Sequence, residues 1–358
     1  MPKGYTPPSV VPGSRTLATP RLSNERVYQR LLEAAHSRAN KDFGAFYSSV
    51  LGGIVTEPGL MVLHADDHMV TRGHGVYDVV PLVDGYLYQL DRHVGRALAA
   101  ADAAGVPPSL APADIKRILL DTAAASIKLN GHVQFWLTPG RGGLGMSSDE
   151  CTAPGLYALV SSEFTAVEEL GRAEGRRATV SPVEPPAAYF GRLKSSSYLQ
   201  NVVAQLEAES RGFDVGLFVD EEGYVLGGPN AALAIITPDH EFVYAPSDRA
   251  PPGITVQTLA ELIPEEYDEE DLPIKAVSQR PISLDDLTGS LEALLVNSTL
   301  GVMPVTHVDD EAVADGRPGY LSMALQATLI NDRKPREGSD RHTPVPYGGL
   351  TGMRSQLT

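Results

Sequence analysis

The chain has 358 residues, 42% hydrophobic and 6% aromatic, which is long enough to bury the cores of two domains. Its 45 acidic against 29 basic residues leave a formal charge of -16, which argues against a nucleic acid or an anionic membrane surface as partner, since both need clustered cations. One cysteine, Cys151, excludes an internal disulfide and fits a reducing compartment, and no apolar run reaches the about eighteen residues of a membrane span.

Met1 to Leu22 is rich in Pro, Ser and Thr, carries Lys3, Arg15 and Arg21, and holds no acid. That composition suits an organelle transit segment as well as an untargeted tail, so the expected location is the cytoplasm, with plastid or mitochondrion as the alternative. From Asn24 to Arg38 the spacing places Val27, Leu31, Leu32 and Ala35 on one face and predicts a helix packed on the body. Phe46 to Leu90 alternates short apolar runs with Gly and Asp turns, the pattern of strands and hairpins. Asp91 to Ala104 has an N-cap acid followed by Val94, Leu98 and Ala101 at helical spacing. A second helix is predicted from Ala113 to Leu129 with Ile115, Ile118, Leu119 and Ala123 inward, followed by strands at His132 to Leu137 and Leu156 to Val160.

The charged stretch Glu163 to Arg177 lacks a long apolar run and is expected to connect two domains. Beyond it come a helix with Leu199, Val202, Val203 and Leu206 as its buried stripe, and a hairpin of Val215 to Asp220 and Tyr224 to Ile236. The acidic run Ile263 to Pro273 is expected to be a solvated loop, and the last 26 residues, from Arg333, a mobile tail. The expected division is an N-terminal extension (1–44), a small α+β domain (45–162), a linker (163–177), a larger domain (178–332) and the tail (333–358).

Two segments point to chemistry on their own residue types. In GRLKSSSYLQN, Gly191 to Asn201, Lys194 stands just ahead of a helix, as a lysine able to form an imine. Gly253-Ile254-Thr255 precedes the helical pattern Val256 to Leu262, so its amides and a hydroxyl would face an anion such as a phosphate. Other patterns carry less. GRGGLG, Gly140 to Gly145, mimics a nucleotide loop with no helix after it, and HADDH, His64 to His68, is too crowded in a turn for a metal.

The lysine segment lies between RGHGVYDVVPLVDGYLYQLDRHVGR (Arg72 to Arg96) and DEEGYVLGGPNAALAI (Asp220 to Ile235), which PPGIT (Pro251 to Thr255) and NSTLGVMPV (Asn297 to Val305) follow. In that order and spacing the segments resemble the class IV aminotransferases, the fold type IV pyridoxal phosphate enzymes, from about Phe46 to Asn331. The wording is most similar to the D-amino acid aminotransferase-like branch. The resemblance implies a two-domain α+β / α/β fold, pyridoxal 5'-phosphate as cofactor, small amino acid and 2-oxo acid substrates, and a homodimer.

It also implies roles. Lys194 would form the imine and move the proton, Arg96 with Ile254, Thr255 and Ser298 would hold the phosphate, and Tyr198 would bond the phenolate oxygen. Tyr77 would form the aromatic wall of the substrate pocket, and Arg141 is the arginine available on the Thr138 to Ser148 loop to clamp a substrate carboxylate. One departure stands against these matches. Gly227 occupies the place where the family has the glutamate that protonates the pyridine nitrogen, and Ala232 replaces a family asparagine. Three consequences are open: Asn230, water or another side chain substitutes; the chemistry needs less ring protonation; or binding persists without turnover. The implied activity is transfer of an amino group from a D-amino acid to a 2-oxo acid, with aminodeoxychorismate lyase chemistry or a cofactor-binding pseudoenzyme as alternatives.

Overall fold

The computed structural model describes residues 19–37, 43–108, 110–162, 174–246, 248, 250–251, 253–266 and 272–348. The transit-like segment up to residue 18, most of the charged connection (163–173) and the final ten residues lie outside that set.

The first sheet contains β1 (Phe43–Ser48), β2 (Gly53–Val55), β3 (Val76–Val83), β4 (Tyr86–Tyr88), β5 (Gly131–Thr138), β6 (Gly155–Ser161) and β16 (His342–Pro344), in the order β16-β4-β3-β5-β6-β1-β2. Side-chain parity organises it. On the paired strands β3 and β5, Val76, Val80, Val133, Phe135 and Leu137 share one face and enter a core with Val94, Ala97, Ile115 and Leu119. Tyr77 lies opposite Trp136 and Val79 opposite Gln134, so these four occupy the other face. Helices α3 (Leu90–Ala103) and α4 (Pro112–Ser126) supply the rest of that core. Each fully buried Val, Leu, Ile or Phe there contributes about 1.5–3 kcal/mol of transfer free energy. Helix α3 begins one residue earlier than predicted, because Gln89 takes the N-cap position with a left-handed φ of 58° and Asp91 lies in the first turn.

Helix α1 (Asn24–Ser37) packs more loosely than its spacing predicts. Val27 is exposed, Leu31 and Leu32 are half-buried, and the Leu31 carbonyl sits so close to Gly59 that a Cβ there would lie 2.5 Å away. Helix α2 (His68–Arg72) follows, capped by Asp67 and stopped by left-handed Gly73.

The second sheet runs β12-β11-β10-β13-β14-β7-β8-β9, with β15 paired to β14. Its strands are β7 (Arg176–Val180), β8 (Val215–Val219), β9 (Val225–Gly227), β10 (Ala232–Ile236), β11 (Glu241–Tyr244), β12 (Ala276–Gln279), β13 (Glu292–Asn297), β14 (Gly301–Val308) and β15 (Glu311–Ala312). Both faces of β10 are covered, which is why it reads as an unbroken apolar run: Leu233 and Ile235 join Leu217 and Leu295, while Ala234 and Ile236 join Leu259 and Leu325. The helices are α5 (Ala188–Gly191), α6 (Leu199–Ser210), α7 (Ile254–Glu266), α8 (Leu284–Thr288) and α9 (Tyr320–Arg333).

Four expectations are corrected. Helix α6 buries Ala204 and Ala208, not the predicted stripe; Leu199, Val202, Val203 and Leu206 are 74%, 49%, 42% and 58% exposed. Its small residues let it lie almost on β8, where a Cβ at Gly216 would come within 2.8 Å of the Ala204 carbonyl oxygen. The strand after Gly223 is broken, since β9 ends at Gly227, Gly228 bridges Ala231, and β10 starts at Ala232. The acidic run begins as helix: α7 continues through Glu266 with Ile263 buried, and residues 267–271 lie outside the described set. The C-terminal stretch is docked as far as residue 348, with His342 paired to Tyr88 in β16–β4 and Val345 buried in the first core.

Candidate functional site

A cavity of about 750 Å³ opens between the inner face of the first sheet, the Lys194 loop, the β9–β10 turn and the N-terminal end of α7. Tyr77, Arg96, Lys194, Tyr198, Ile254, Thr255 and Ser298 all line it, although the sequence spreads them over more than half its length.

Backbone pairing fixes the lysine. Tyr77 N–H donates to the Lys194 carbonyl (2.9 Å) and Ser196 N–H to the Gly75 carbonyl (2.8 Å), so the loop docks on the start of β3 through a single antiparallel bridge between Val76 and Ser195. The Lys194 Nζ donates to the Tyr77 hydroxyl at 3.3 Å and lies 4.4 Å from its ring centroid. Burial, and then the Arg96 guanidinium, bring the Lys194 pKa down to about 8. The Tyr77 and Tyr198 rings meet edge to face at 5.6 Å, and burial raises both hydroxyls above the ordinary phenol value. A lysine so placed should react as an amine near neutrality. In cofactor-free protein, modification of Lys194 by trinitrobenzenesulfonate, followed by peptide mass spectrometry, is expected to titrate with a midpoint near pH 8, well below surface lysines at about 10.4.

Behind the cavity, Asp78 organises Arg96. The strand alternation that turns Tyr77 inward turns Asp78 toward α3, where Arg96 donates from Nε to one carboxylate oxygen (2.8 Å) and from a terminal nitrogen to the other (2.7 Å). His93 Nδ1 lies 2.8 Å from the same carboxylate. Burial alone would raise the Asp78 carboxyl, but Arg96 and His93 reverse this and hold it well below the usual carboxylate range. Burial likewise lowers His93, which is 1% exposed, despite the facing carboxylate. On sequence alone, Asp78 and His93 carry no role. The available signal was the i, i+3 spacing of His93 and Arg96 together with the alternation of VYDVV.

The N-terminal end of α7 suits an anion. The first turn of the 13-residue helix α7 brings amides without intrahelical acceptors, with Thr255 buried beside them. Ser298 and Thr299 follow β13 in a turn held by Asn297, whose side-chain oxygen accepts from Thr299 N–H (3.1 Å), the Thr299 hydroxyl (3.0 Å) and Leu300 N–H (2.6 Å). Arg333 of α9 donates to the Ser298 carbonyl at 2.9 Å.

Two residues singled out from the sequence do not line the cavity. Arg141 is paired in two-bond fashion with Asp66 (2.9 and 3.1 Å), because a bridge between Asp67 and Arg141 aligns their segments. Gly227 is buried in β9 with φ of 123°, and a Cβ there would lie 2.6 Å from the Ala231 carbonyl oxygen. Its neighbours Leu226, Gly228 and Asn230 line the cavity instead, and Asn201 secures the turn by donating to the Pro229 carbonyl at 2.6 Å. Apolar Trp136, Phe190 and Leu193 complete the wall.

Residues 75–308 match the family described as amino-transferase class IV. The chain is 35% identical, over 93% of its length and 87% of the relative's, to a chloroplastic D-amino-acid transaminase of Arabidopsis thaliana. It is 23% identical to a D-alanine aminotransferase of Bacillus licheniformis, over 79% of this chain and 95% of that protein. Among solved structures, the branched-chain amino acid aminotransferase of Escherichia coli superposes with a TM-score of 0.74 at 18% identity, covering 85% of this chain and 99% of that one.

Proposed function

The chain belongs to the class IV aminotransferases, a family of pyridoxal phosphate-dependent transaminases, and from that premise we propose that it transfers an amino group from a D-amino acid to a 2-oxo acid at the Lys194 cavity. The observation that carries this is the placement of a lysine with a pKa near 8 in one cavity with an amide-and-hydroxyl cradle. The D-amino acid as donor is supported by the names of the Arabidopsis and Bacillus relatives.

The residues fit pyridoxal phosphate at three of its four corners. Ile254, Thr255 and Ser298, with Arg96 as the cation, would hold the phosphate; Tyr198 would meet the phenolate oxygen; Lys194 would meet the aldehyde carbon. When bound, the cofactor supplies a ring that withdraws electrons from the substrate carbon. Lys194 Nζ, close to half neutral at pH 8, would take the proton from that carbon and deliver it to the carbon that carried the aldehyde, with the Tyr77 hydroxyl fixing its direction. Asp78 keeps the Arg96 guanidinium in place from outside the cavity. Trp136 and Phe190 give the cavity an apolar wall.

The test is the visible spectrum of the protein with added pyridoxal phosphate. A band that disappears with D-alanine and returns with a 2-oxo acid supports the proposal, with L-alanine as control. A band indifferent to a broad panel of amines favours the pseudoenzyme, and a band unchanged in Lys194→Ala removes the lysine from the site.

The exposed apolar residues of α5 and α6, among them Phe190, Leu199, Val202 and Leu206, support a homodimer in which a second copy covers them. Leu206→Asp is expected to weaken self-association at least about 30-fold by light scattering, with little change in melting temperature. No helix among the described residues is long and apolar enough to cross a membrane. We expect the protein in the cytoplasm; import into a plastid would show as cleavage within Met1 to Leu22 by mass spectrometry of the native protein.

A further inference from the structure

Among the described residues that line the cavity, Lys194 and Arg96 carry the charge, and none is an aspartate or glutamate. The carboxylate nearest in role, Asp78, faces away from the cavity and is saturated by Arg96 and His93. Around the β9–β10 turn the cavity is lined by Leu226, Gly228, Asn230 and Asn201, apolar or neutral throughout. Nor does the Gly227 backbone leave room for a larger residue, since its φ of 123° and the Ala231 carbonyl both oppose one.

We propose that the pyridine nitrogen of the cofactor held in this cavity is unprotonated, facing neutral side chains where a carboxylate would otherwise keep it cationic. The proposal rests on the cofactor reading above and deepens it. A pyridinium here would be a desolvated cation in a cavity lined by Arg96, with no aspartate or glutamate among the described lining residues to balance it. Desolvation and like-charge repulsion both favour the neutral ring. The phosphate would meet the α7 amides, Thr255 and Arg96, the groups assigned to it above, rather than the ring nitrogen.

A neutral ring withdraws electrons less strongly, so more of the work of proton transfer falls on Lys194. The same structure explains why Gly227→Glu is not a simple repair: the substitution strains the β9–β10 turn before it can present a carboxylate.

The experiment is nitrogen NMR of the full-length protein reconstituted with pyridoxal phosphate labelled with ¹⁵N at the ring position, at about pH 7.5, on the alkaline side of neutrality where an unperturbed lysine stays charged. The expected result is a resonance in the neutral pyridine range, displaced only slightly toward the pyridinium range. A resonance at the pyridinium position overturns the proposal while leaving cofactor binding intact. Absence of both a visible band and a bound ring signal overturns the cofactor reading and this inference with it, so the two failures are told apart by the band.

Discussion

Lys194→Ala is expected to lower the rate of amino transfer by about 10⁴-fold or more while the protein stays folded, because the variant loses both the nucleophile and the base. A single-turnover measurement with D-alanine reads the loss, and circular dichroism reads the fold. The variant should also differ in how stability responds to pH. The folded pKa of Lys194, about 8, lies below the model amine value of 10.5, so the unfolded chain binds the proton more tightly. Stability should therefore carry the cost in full below pH 8 and recover it as pH rises from 8 toward 10.5. Because Lys194 is only half-buried by area, the recovery is modest. Melting temperatures from about pH 7 to about pH 10 should show a component in the native protein that is missing from Lys194→Ala; identical profiles would contradict the buried amine.

The second large effect is expected at Asp78. Asp78→Ala leaves the Arg96 guanidinium 12% exposed with its counter-charge gone, and removes the partner of buried His93. Breaking such a buried pair costs about 3–5 kcal/mol, and denaturant unfolding should show a loss of that size. Affinity for pyridoxal phosphate should fall with it, because Arg96 loses the bidentate partner that aims it. The pH dependence has a fixed sign. Asp78 is depressed in the folded state, so its contribution is present above the unfolded carboxylate value of about 3.9 and disappears as pH falls through the lower folded value. His93 is also depressed, so the native protein loses stability as pH drops below about 6.5, where the unfolded chain gains a proton that the folded one resists. Asp78→Ala should flatten the limb below about pH 3.9 and deepen the His93 component below about pH 6.5, because the carboxylate that partly offsets burial of His93 is gone; an unaltered limb with unaltered stability would show that the cluster contributes nothing.

What the sequence disclosed depended on how local the signal was. Helices α3 and α4 were legible because Val94, Ala101, Ile115, Ile118, Leu119 and Ala123 repeat at helical spacing and are all buried. Helix α6 shows the limit of that method, for its period was right and its buried face wrong. An apolar stripe does not say whether it packs on its own chain, and the close approach through Ala204, Ala208 and Gly216 depends on residues too small to register as a stripe. The site divided in the same way. Lys194, Tyr77, Tyr198, Arg96, Ile254, Thr255 and Ser298 were found through motifs, and the fold brings them to one cavity. Arg141 is the arginine on the Thr138 to Ser148 loop, but its Asp66 partner is distant in sequence. Asp78 went unnoticed because a lone acid in a strand acquires meaning only when a helix from elsewhere brings Arg96 and His93 to it.

The pairing of His342 with Tyr88 and of Pro344 with Tyr86 makes the last described strand the edge of the first sheet. On a ribosome, β4 therefore emerges early and must wait, with one row of N–H and C=O groups open, until His342 to Pro344 have been made. Expression conditions that slow synthesis lengthen that wait and expose the nascent chain to strand-swapped aggregates, as does any truncation upstream of His342 or an affinity tag that traps the C-terminus. A tag at the N-terminus spares the closing strand.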